Sequence, residues 1–327
     1  MKKTKKLASL VLALVLAASL FAGCGQKEEP AAPGGETGGG TEAPAEGGKF
    51  VVGYANLADS DVFVMARKTA MIEAAKGTNV ELQFSDANND IQKQLDQIDN
   101  FIALGVDMLV VVPVDFAGIT PAIIKANESG IPVICMGIKA DGGDYIYVGS
   151  ENYDAGYMQG EVIAAQIPEN GKVLYLAGTA GMSHSTDRRN GFLEAMAAEG
   201  RDDVQILADL DGNYDRAKGM QITEDWIQSF PEFDAIVAAN DQMALGAVEA
   251  LKAAQRLEGV LVTGVDGTDD AKNAVKEGTM VQTVLQDAPG QAKAAMEAIL
   301  MIEKGESPEK EIIVPFTSIT KENVDQF

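Results

Sequence analysis

The chain has 327 residues, of which 46% are hydrophobic and 23% charged, so it is long enough for a globular protein of two domains. The formal net charge is −23, and because residues 1–23 hold four lysines and no acid, the remainder carries 22 basic against 49 acidic residues, or −27. A field of that sign repels nucleic acid and anionic lipid headgroups, so we expect neither as a binding partner.

The first 23 residues have the features of a bacterial export signal. Four lysines among residues 2–6 precede an apolar stretch, 7–20, that is too short to span a bilayer. Residues 20–24 (LFAGC) resemble a lipobox, whose cysteine is lipidated and becomes the first residue of the mature protein. We therefore predict a lipoprotein signal peptide over 1–23 and an extracytoplasmic protein, anchored to the cell membrane by Cys24. An ordinary secretory signal is the alternative.

Residues 24–49 are predicted to form a disordered tether. They are rich in Gly, Pro, Ala and Glu and have almost no large apolar side chain, so they cannot bury enough surface to fold. The only other cysteine, Cys135, lies in an apolar strand-like run and is interpreted as a small buried core residue. If Cys24 carries lipid, Cys135 has no partner for an intramolecular disulfide.

From Phe50 onward, short apolar runs alternate with amphipathic stretches. The predicted strands are 50–55, 80–85, 107–112, 132–136, 145–148, 172–177, 204–208, 234–238, 259–264, 280–285 and 312–319. The predicted helices are 62–76, 90–104, 116–129, 153–167, 187–199, 215–229, 241–255, 268–277 and 288–304. Continuous apolar runs are typical of parallel strands that are covered on both faces. The alternation predicts an α/β fold of doubly wound parallel sheets, and about eleven strands indicate two lobes.

Polar and aromatic side chains follow the carboxyl ends of many predicted strands, where open α/β sheets bind ligands. The candidate ligand-binding residues are Asp59, Ser60, Phe63, Asp115, His184, Arg188, Tyr214, Asn240, Asp266 and Gln286. Carboxylates accept hydrogen bonds, amides both donate and accept, and arginine donates in a fixed fork. Aromatic faces can cover the C–H face of a sugar ring. These residues predict a cleft for a hydroxyl-rich small molecule, although a single Asp or Asn could instead cap the helix that follows it.

Several segments together resemble the ribose/galactose-type periplasmic sugar-binding proteins, the substrate-binding components of ABC importers. The most specific are 86–90 (DANND), 105–115 (GVDMLVVVPVD), 214–219 (YDRAKG), 240–246 (NDQMALG) and 264–268 (GVDGT). The resemblance implies that Asn240, Asp266 and Gln286 bind ligand hydroxyls and that Tyr214 is the stacking aromatic residue.

Three departures from that family's pattern involve four residues. Ser60 stands where ribose binders usually have Asn, Gly137-Ile138 replaces an Asp-Arg pair that fixes a pentose, and Thr186 replaces an Arg. The departures leave the C-terminal half of the predicted site intact and alter the N-terminal half, which counts against ribose as the ligand.

The resemblance also implies the type I periplasmic binding protein fold, in which neither lobe is contiguous and three crossovers form the hinge. We expect the crossovers near 150–151, 286–287 and 314–316. The predicted N-terminal lobe comprises residues 50–151 and 287–314, and the predicted C-terminal lobe comprises residues 152–286 and 315–327.

The function that the resemblance implies is binding without catalysis. A monomer without cofactor or metal would bind a monosaccharide or related polyol by lobe closure and deliver it to an ABC permease. A sensor or chemotaxis receptor for a furanosyl signal or a nucleoside-type ligand is the alternative, and an extracytoplasmic glycosidase with paired carboxylates is a third class. The run 209–215 resembles a calcium loop but lacks its glycine and closing glutamate.

Overall fold

The computed structural model of the chain describes residues 48–327, so the predicted signal peptide, Cys24 and nearly all of the predicted tether lie outside the described residues. The strands of this part are β1 (Phe50–Asn56), β2 (Val80–Asp86), β3 (Met108–Val111), β4 (Val133–Met136), β5 (Ile146–Gly149), β6 (Lys172–Ala177), β7 (Gln205–Asp211), β8 (Ala235–Ala238), β9 (Leu261–Asp266), β10 (Gln282–Leu285), β11 (Glu311–Ile313) and β12 (Thr317–Thr320). The helices are α1 (Val62–Ala75), α2 (Ile91–Leu104), α3 (Thr120–Glu128), α4 (Asn152–Gln166), α5 (Ser183–Ala198), α6 (Arg216–Ser229), α7 (Asp241–Ala253), α8 (Asp269–Glu277) and α9 (Ala288–Glu303), followed by a 3₁₀ turn at Val324–Gln326. None of the helices in residues 48–327 is long and apolar enough to cross a membrane.

The strands form two six-stranded sheets, which confirms the predicted fold class. The first sheet has the order β11-β5-β4-β3-β1-β2, and all of its neighbouring strands are parallel. The second has the order β12-β10-β9-β8-β6-β7 and is parallel except where β12 pairs with β10.

Successive residues of the central strands contribute to the cores on opposite faces of each sheet, as the pleat requires. In β3, Leu109 belongs to the apolar cluster that contains Ile98 of α2, whereas Val110 belongs to the cluster of Met71 and Ile299 from α1 and α9. The second sheet is covered on both faces by its own clusters. Burial on both faces explains why these strands are apolar throughout instead of alternating.

The chain passes between the two sheets three times. It leaves the first sheet after Gly149 and enters α4, which packs against β9, β10 and β12 of the second sheet. It returns to the first sheet after Leu285. The next helix, α9, packs against α1 and against β4 and β5 of that sheet. The last crossing joins β11 to β12.

Several boundaries differ from the prediction. Helix α3 begins at Thr120 instead of residue 116, and β7 ends at Asp211 instead of residue 208. The single strand predicted over 312–319 is two short strands in different sheets, separated by Pro315, which has no N–H to continue a ladder. Helix α5 begins at Ser183 instead of residue 187. Residues 183–187 are mostly weak helix formers that favour loops and caps, so the sequence pattern predicted the start of α5 too late. As a result, His184 lies in the first turn of α5.

Candidate ligand-binding cleft

A cavity that is partly open to solvent lies between the carboxyl ends of the two sheets. Its lining comes from both sheets and consists of Leu57, Asp61, Phe63, Val64, Arg67, Gly137, Ile138, His184, Arg188, Tyr214, Asn240, Asp266 and Gln286. Open α/β sheets bind small molecules at this edge, outside the carboxyl ends of their strands. The cavity is therefore the candidate ligand-binding cleft.

Seven of the ten candidate residues from the sequence line this cleft. They are Phe63, His184, Arg188, Tyr214, Asn240, Asp266 and Gln286. Six of the seven come from the second sheet and its helices, so the structure brings together the half of the site that resembles the family pattern.

The other three candidates lie away from the cavity lining. Asp59 accepts hydrogen bonds from Asn56 (2.6 Å) and Lys68 (2.5 Å), which hold its carboxylate beside α1. Ser60 is exposed to solvent. Asp115 accepts a hydrogen bond from the backbone N–H of Gly118 at 2.6 Å and lines a separate depression between the two sheets.

Asp266 ends β9 inside the cleft, and its carboxylate has no side-chain partner in the described residues. It is buried, and its side chain accepts no hydrogen bond from a side chain within residues 48–327. Burial, together with the negative charge of Asp241, raises the pKa of Asp266 well above its usual value. Its φ of 136° is a backbone conformation that residues with a side chain rarely adopt. Strain of this kind persists where a fold fixes a functional group in place.

Asp241 is the neighbouring buried carboxylate, and it is fully engaged within the fold. It accepts hydrogen bonds from the N–H and the hydroxyl of Thr268 (2.8 and 3.0 Å) and from the hydroxyl of Thr283 (2.7 Å). Burial nevertheless raises its pKa. Asp241, the first residue of α7, therefore joins the segment after β9 and strand β10, whereas Asp266 remains available to a ligand.

Asn240 has a local role as well as a place in the cleft. Its side-chain oxygen accepts a hydrogen bond from the N–H of Met243 at 3.0 Å and caps α7, while its amide donates to the carbonyl of Tyr214 at 3.3 Å. The alternative that such a residue caps the helix after it is thus correct for the side-chain oxygen of Asn240. One N–H of the amide is left for a ligand, since an amide nitrogen carries two hydrogens.

His184 and Tyr214 form an aromatic wall. Their rings are stacked, with centroids 5.0 Å apart and an interplanar angle of 13°. The Nδ1 atom of His184 and the hydroxyl of Tyr214 are both buried without a hydrogen-bond partner in the described residues. Burial and the positive charges of Arg188 and Arg67 lower the pKa of His184 well below 6.5, so the imidazole is neutral at pH 7.

Arg188 connects three segments at the base of the cleft. Its Nε and Nη2 donate to Oδ1 of Asn152 (3.1 and 3.0 Å), Nη1 donates to the carbonyl of Ala239 (2.5 Å), and Nη2 also reaches Oε1 of Gln286 (3.3 Å). Asn152 and Gln286 stand at the first two crossovers between the sheets. Because its three nitrogens are all engaged, Arg188 supports the cleft more than it offers donors to it.

Arg67 and Asp61, both on the first-sheet side, were not among the candidate ligand-binding residues. Arg67 lies in the second turn of α1 and is only 2% exposed. A sequence signal for it exists, because Val64, Arg67 and Met71 share the buried face of α1 at helical spacing, where a charged residue is out of place. Asp61 caps α1 by accepting from the N–H of Val64 at 2.8 Å, and burial raises its pKa.

The charged groups of the cleft balance formally, with two guanidinium groups against two carboxylates. Such a lining offers donors and acceptors together, as a neutral molecule with several hydroxyl groups requires. In the part of the chain that the structure describes, no three His, Cys, Asp or Glu side chains are grouped as metal ligands.

Comparison with known proteins gives matches over most of the chain. The family model described as the periplasmic binding protein domain matches residues 52–307. A putative rhizopine-binding protein of Rhizobium meliloti is 34% identical over 283 residues, which cover 84% of this chain and 92% of the relative. The xylitol-binding protein of Mycolicibacterium smegmatis is 34% identical over 269 residues, covering 82% and 76%.

A solved structure is similar over nearly the same region. It is an ABC transporter solute binding protein from Bacillus halodurans with bound myo-inositol, which is 34% identical and has a TM-score of 0.81. The match covers 87% of this chain and 98% of that one. The similarity in sequence and the similarity in fold therefore extend over both sheets and over the cleft between them.

Proposed function

The chain belongs to the periplasmic binding protein family, as a sugar- or polyol-binding protein of the ABC importer type and not an enzyme, and we propose that it closes its two lobes around a single monosaccharide or polyol. The occupied cleft would then present the ligand to an ABC permease. In this proposal the lobes are those that the sequence predicted, with residues 50–151 and 287–314 moving against residues 152–286 and 315–327. A hydrogen bond between the two sheets supports this proposal, since the N–H of Phe116 donates to the carbonyl of Gly181 at 3.1 Å.

The observation that carries this proposal is a set of unpaired polar groups around one cavity. Nε of Arg67, Nδ1 of His184 and the hydroxyl of Tyr214 are buried without partners in the described residues, and the carboxylate of Asp266 accepts no side-chain hydrogen bond there. Each such group costs roughly 1–3 kcal/mol when it is left unsatisfied. The hydroxyl groups of a sugar or polyol, which both donate and accept, would satisfy all four.

The first candidate ligand is myo-inositol. The Bacillus halodurans protein binds it, and its similarity to this chain extends over both sheets. The first-sheet side of the cleft supports a ligand other than ribose, because Gly137 and Ile138 offer no polar side chain at the end of β4.

We also propose that lipid on Cys24 anchors the protein on the outer side of the cell membrane through the tether of residues 24–49. The lipobox-like segment 20–24 supports this anchor, and the family implies an extracytoplasmic location. A Cys24→Ser variant tests it, since this variant should leave the membrane fraction of the producing cell. If the variant fractionates with the membrane as the wild type does, lipidation of Cys24 is not the anchor.

A thermal-shift screen tests the proposed ligand class. We expect myo-inositol, or another member of a panel with xylitol, D-ribose and D-allose, to raise the melting temperature. A ligand at 100 times its Kd stabilises the folded protein by about 2.7 kcal/mol, which corresponds to several degrees for a chain of this size.

The control for the screen is the same panel with an Asp266→Asn variant. High concentrations of polyols stabilise any folded protein by exclusion from its surface, and that effect would be the same in the variant. Shifts with nucleosides alone would contradict the proposal and support the sensor alternative.

A further inference from the structure

We infer that Arg67 is the residue by which the first-sheet side of the cleft recognises a pair of neighbouring hydroxyl groups on the ligand, and that Gly137 is the position that makes room for it. The inference rests on the proposed function, since it names the part of the cleft that selects among polyols.

The guanidinium of Arg67 has donors that the protein does not use. Its only hydrogen bond within residues 48–327 runs from Nη1 to Oε1 of Gln291 at 3.2 Å, and Nε has no partner there. Its Cζ atom lies 5.5 Å from the centre of the Phe63 ring, so one face is covered by an aromatic side chain that also lines the cleft. Arg188, by contrast, has all three nitrogens engaged.

A buried guanidinium without a full set of acceptors is costly, because each unsatisfied donor loses its hydrogen bonds to water. No carboxylate lies within ion-pair distance of Arg67 in the described part of the chain. The donors that the fold leaves free belong to a residue of the cavity lining. Acceptors from a bound ligand would therefore complete the site.

Gly137 explains how the side chain reaches this place. The residue follows β4 with a φ of 76°, and a Cβ atom built on it would lie 1.9 Å from Nη1 of Arg67. Any side chain at position 137 would occupy the volume that the guanidinium fills. The first-sheet side of the cleft thus takes its hydrogen-bond donors from α1 and not from the end of β4.

The chemistry around Arg67 fits two adjacent hydroxyl groups. A guanidinium presents parallel N–H groups in a fixed plane, which can donate to two oxygens on neighbouring carbons. Asp61 lines the same side of the cavity, and the charge of Arg67 acts on its pKa, so the two groups are near each other. Arg67 would donate to the hydroxyl oxygens while Asp61 accepts from a hydroxyl hydrogen.

The test is calorimetric titration of the full mature protein with myo-inositol and with the mono-deoxy derivatives that lack one hydroxyl each. For the wild type, we expect removal of one of the two recognised hydroxyls to weaken binding by at least about tenfold. For Arg67→Met, we expect binding of myo-inositol to weaken by about 10- to 100-fold, and the discrimination at those hydroxyl positions to disappear.

Two further variants separate recognition from a structural role. Gln291→Met removes the one protein partner of Arg67 and should keep the discrimination between myo-inositol and its deoxy derivatives. Gly137→Ala should weaken binding in the wild type but cause no further loss in the Arg67→Met background, because it acts through Arg67.

The outcomes are distinct. If the wild type binds myo-inositol, and Arg67→Met keeps both its affinity and its discrimination among the deoxy derivatives, the inference is wrong and the proposed function stands. If Arg67→Met weakens every ligand by the same factor, Arg67 has only a structural role and the inference is again wrong. If the wild type binds no member of the polyol panel, the proposed function fails, and the role of Arg67 fails with it.

Discussion

An Asp266→Asn variant is expected to lose about 100-fold or more in ligand affinity and yet to unfold at a higher temperature than the wild type in the absence of ligand. The loss arises because hydrogen bonds to a charged acceptor contribute roughly 1.5–3 kcal/mol each, and an amide keeps only one acceptor oxygen. The gain in thermal stability arises because the ligand-free protein holds this carboxylate buried and without a side-chain partner. That burial costs about 1–3 kcal/mol.

The pH dependence of stability gives an independent measurement on Asp266. Its pKa in the folded protein is raised above the value of 3.8 for an unperturbed carboxyl, so the folded state holds the proton more tightly than the unfolded state. The destabilisation that the buried Asp266 carboxylate causes is therefore absent at low pH. It develops as the pH rises from about 4 through the raised pKa of Asp266. The difference in unfolding free energy between variant and wild type should accordingly shrink when the pH is lowered from 7 toward 4.

Asp241→Asn is the matched control, because it changes the other buried carboxylate of the same loop region. Asp241 accepts three hydrogen bonds, and an amide would present N–H groups to donors that now meet an oxygen. We expect this variant to be destabilised by about 1–3 kcal/mol, the opposite sign to Asp266→Asn. Denaturant unfolding of both variants checks the pair, and a lower stability of Asp266→Asn would contradict the assignment.

Replacing Arg188 by Met is expected to destabilise the protein by about 3–5 kcal/mol, a lowering of the melting temperature by about 5–9 °C. The substitution leaves three buried acceptors without their donor, namely Oδ1 of Asn152, the carbonyl of Ala239 and Oε1 of Gln286. Two of these residues stand at crossovers between the sheets, so ligand binding should be lost as well.

Arg189→Met is the control for that prediction, because the adjacent arginine makes a partly exposed ion pair with Asp209. Exposed pairs contribute only about 0–1 kcal/mol, so its melting temperature should stay close to that of the wild type. Arg188→Lys should recover little stability, since an ammonium group cannot reach three acceptors with the geometry of the guanidinium fork. Calorimetric melting of all three variants measures the effect, and equal melting temperatures for Arg188→Met and Arg189→Met would refute it.

The sequence predicted the fold class and most element boundaries because these depend on local patterns. A strand that is buried on both faces must be apolar throughout, and a helix that covers it must be amphipathic, so the alternation from residue 50 onward indicates the doubly wound sheets directly. The one strand that was wrongly predicted, 312–319, failed because its two halves pair with different sheets, and only long-range pairing shows that.

The second-sheet half of the cleft was also predictable, since Tyr214, Asn240 and Gln286 each follow a strand and Asp266 ends one. The ends of parallel strands meet at one edge of the sheet. The sequence could not predict that Asp266 is unpaired while Asp241 is satisfied. That difference depends on Thr268, after β9, and on Thr283, within β10, which the fold brings to Asp241.

The amino-acid sequence by itself thus determined the architecture, the edge at which the cleft lies and the hydrogen-bonding character of one side of the cleft. Only the tertiary structure decided the other side, where Lys68 holds Asp59 away from the cavity and Arg67 enters it over Gly137. The physical reason is the distance along the chain over which each property is decided. Periodicity reports which face of an element is buried, whereas the direction of a polar side chain depends on partners and free volume that distant parts of the chain supply.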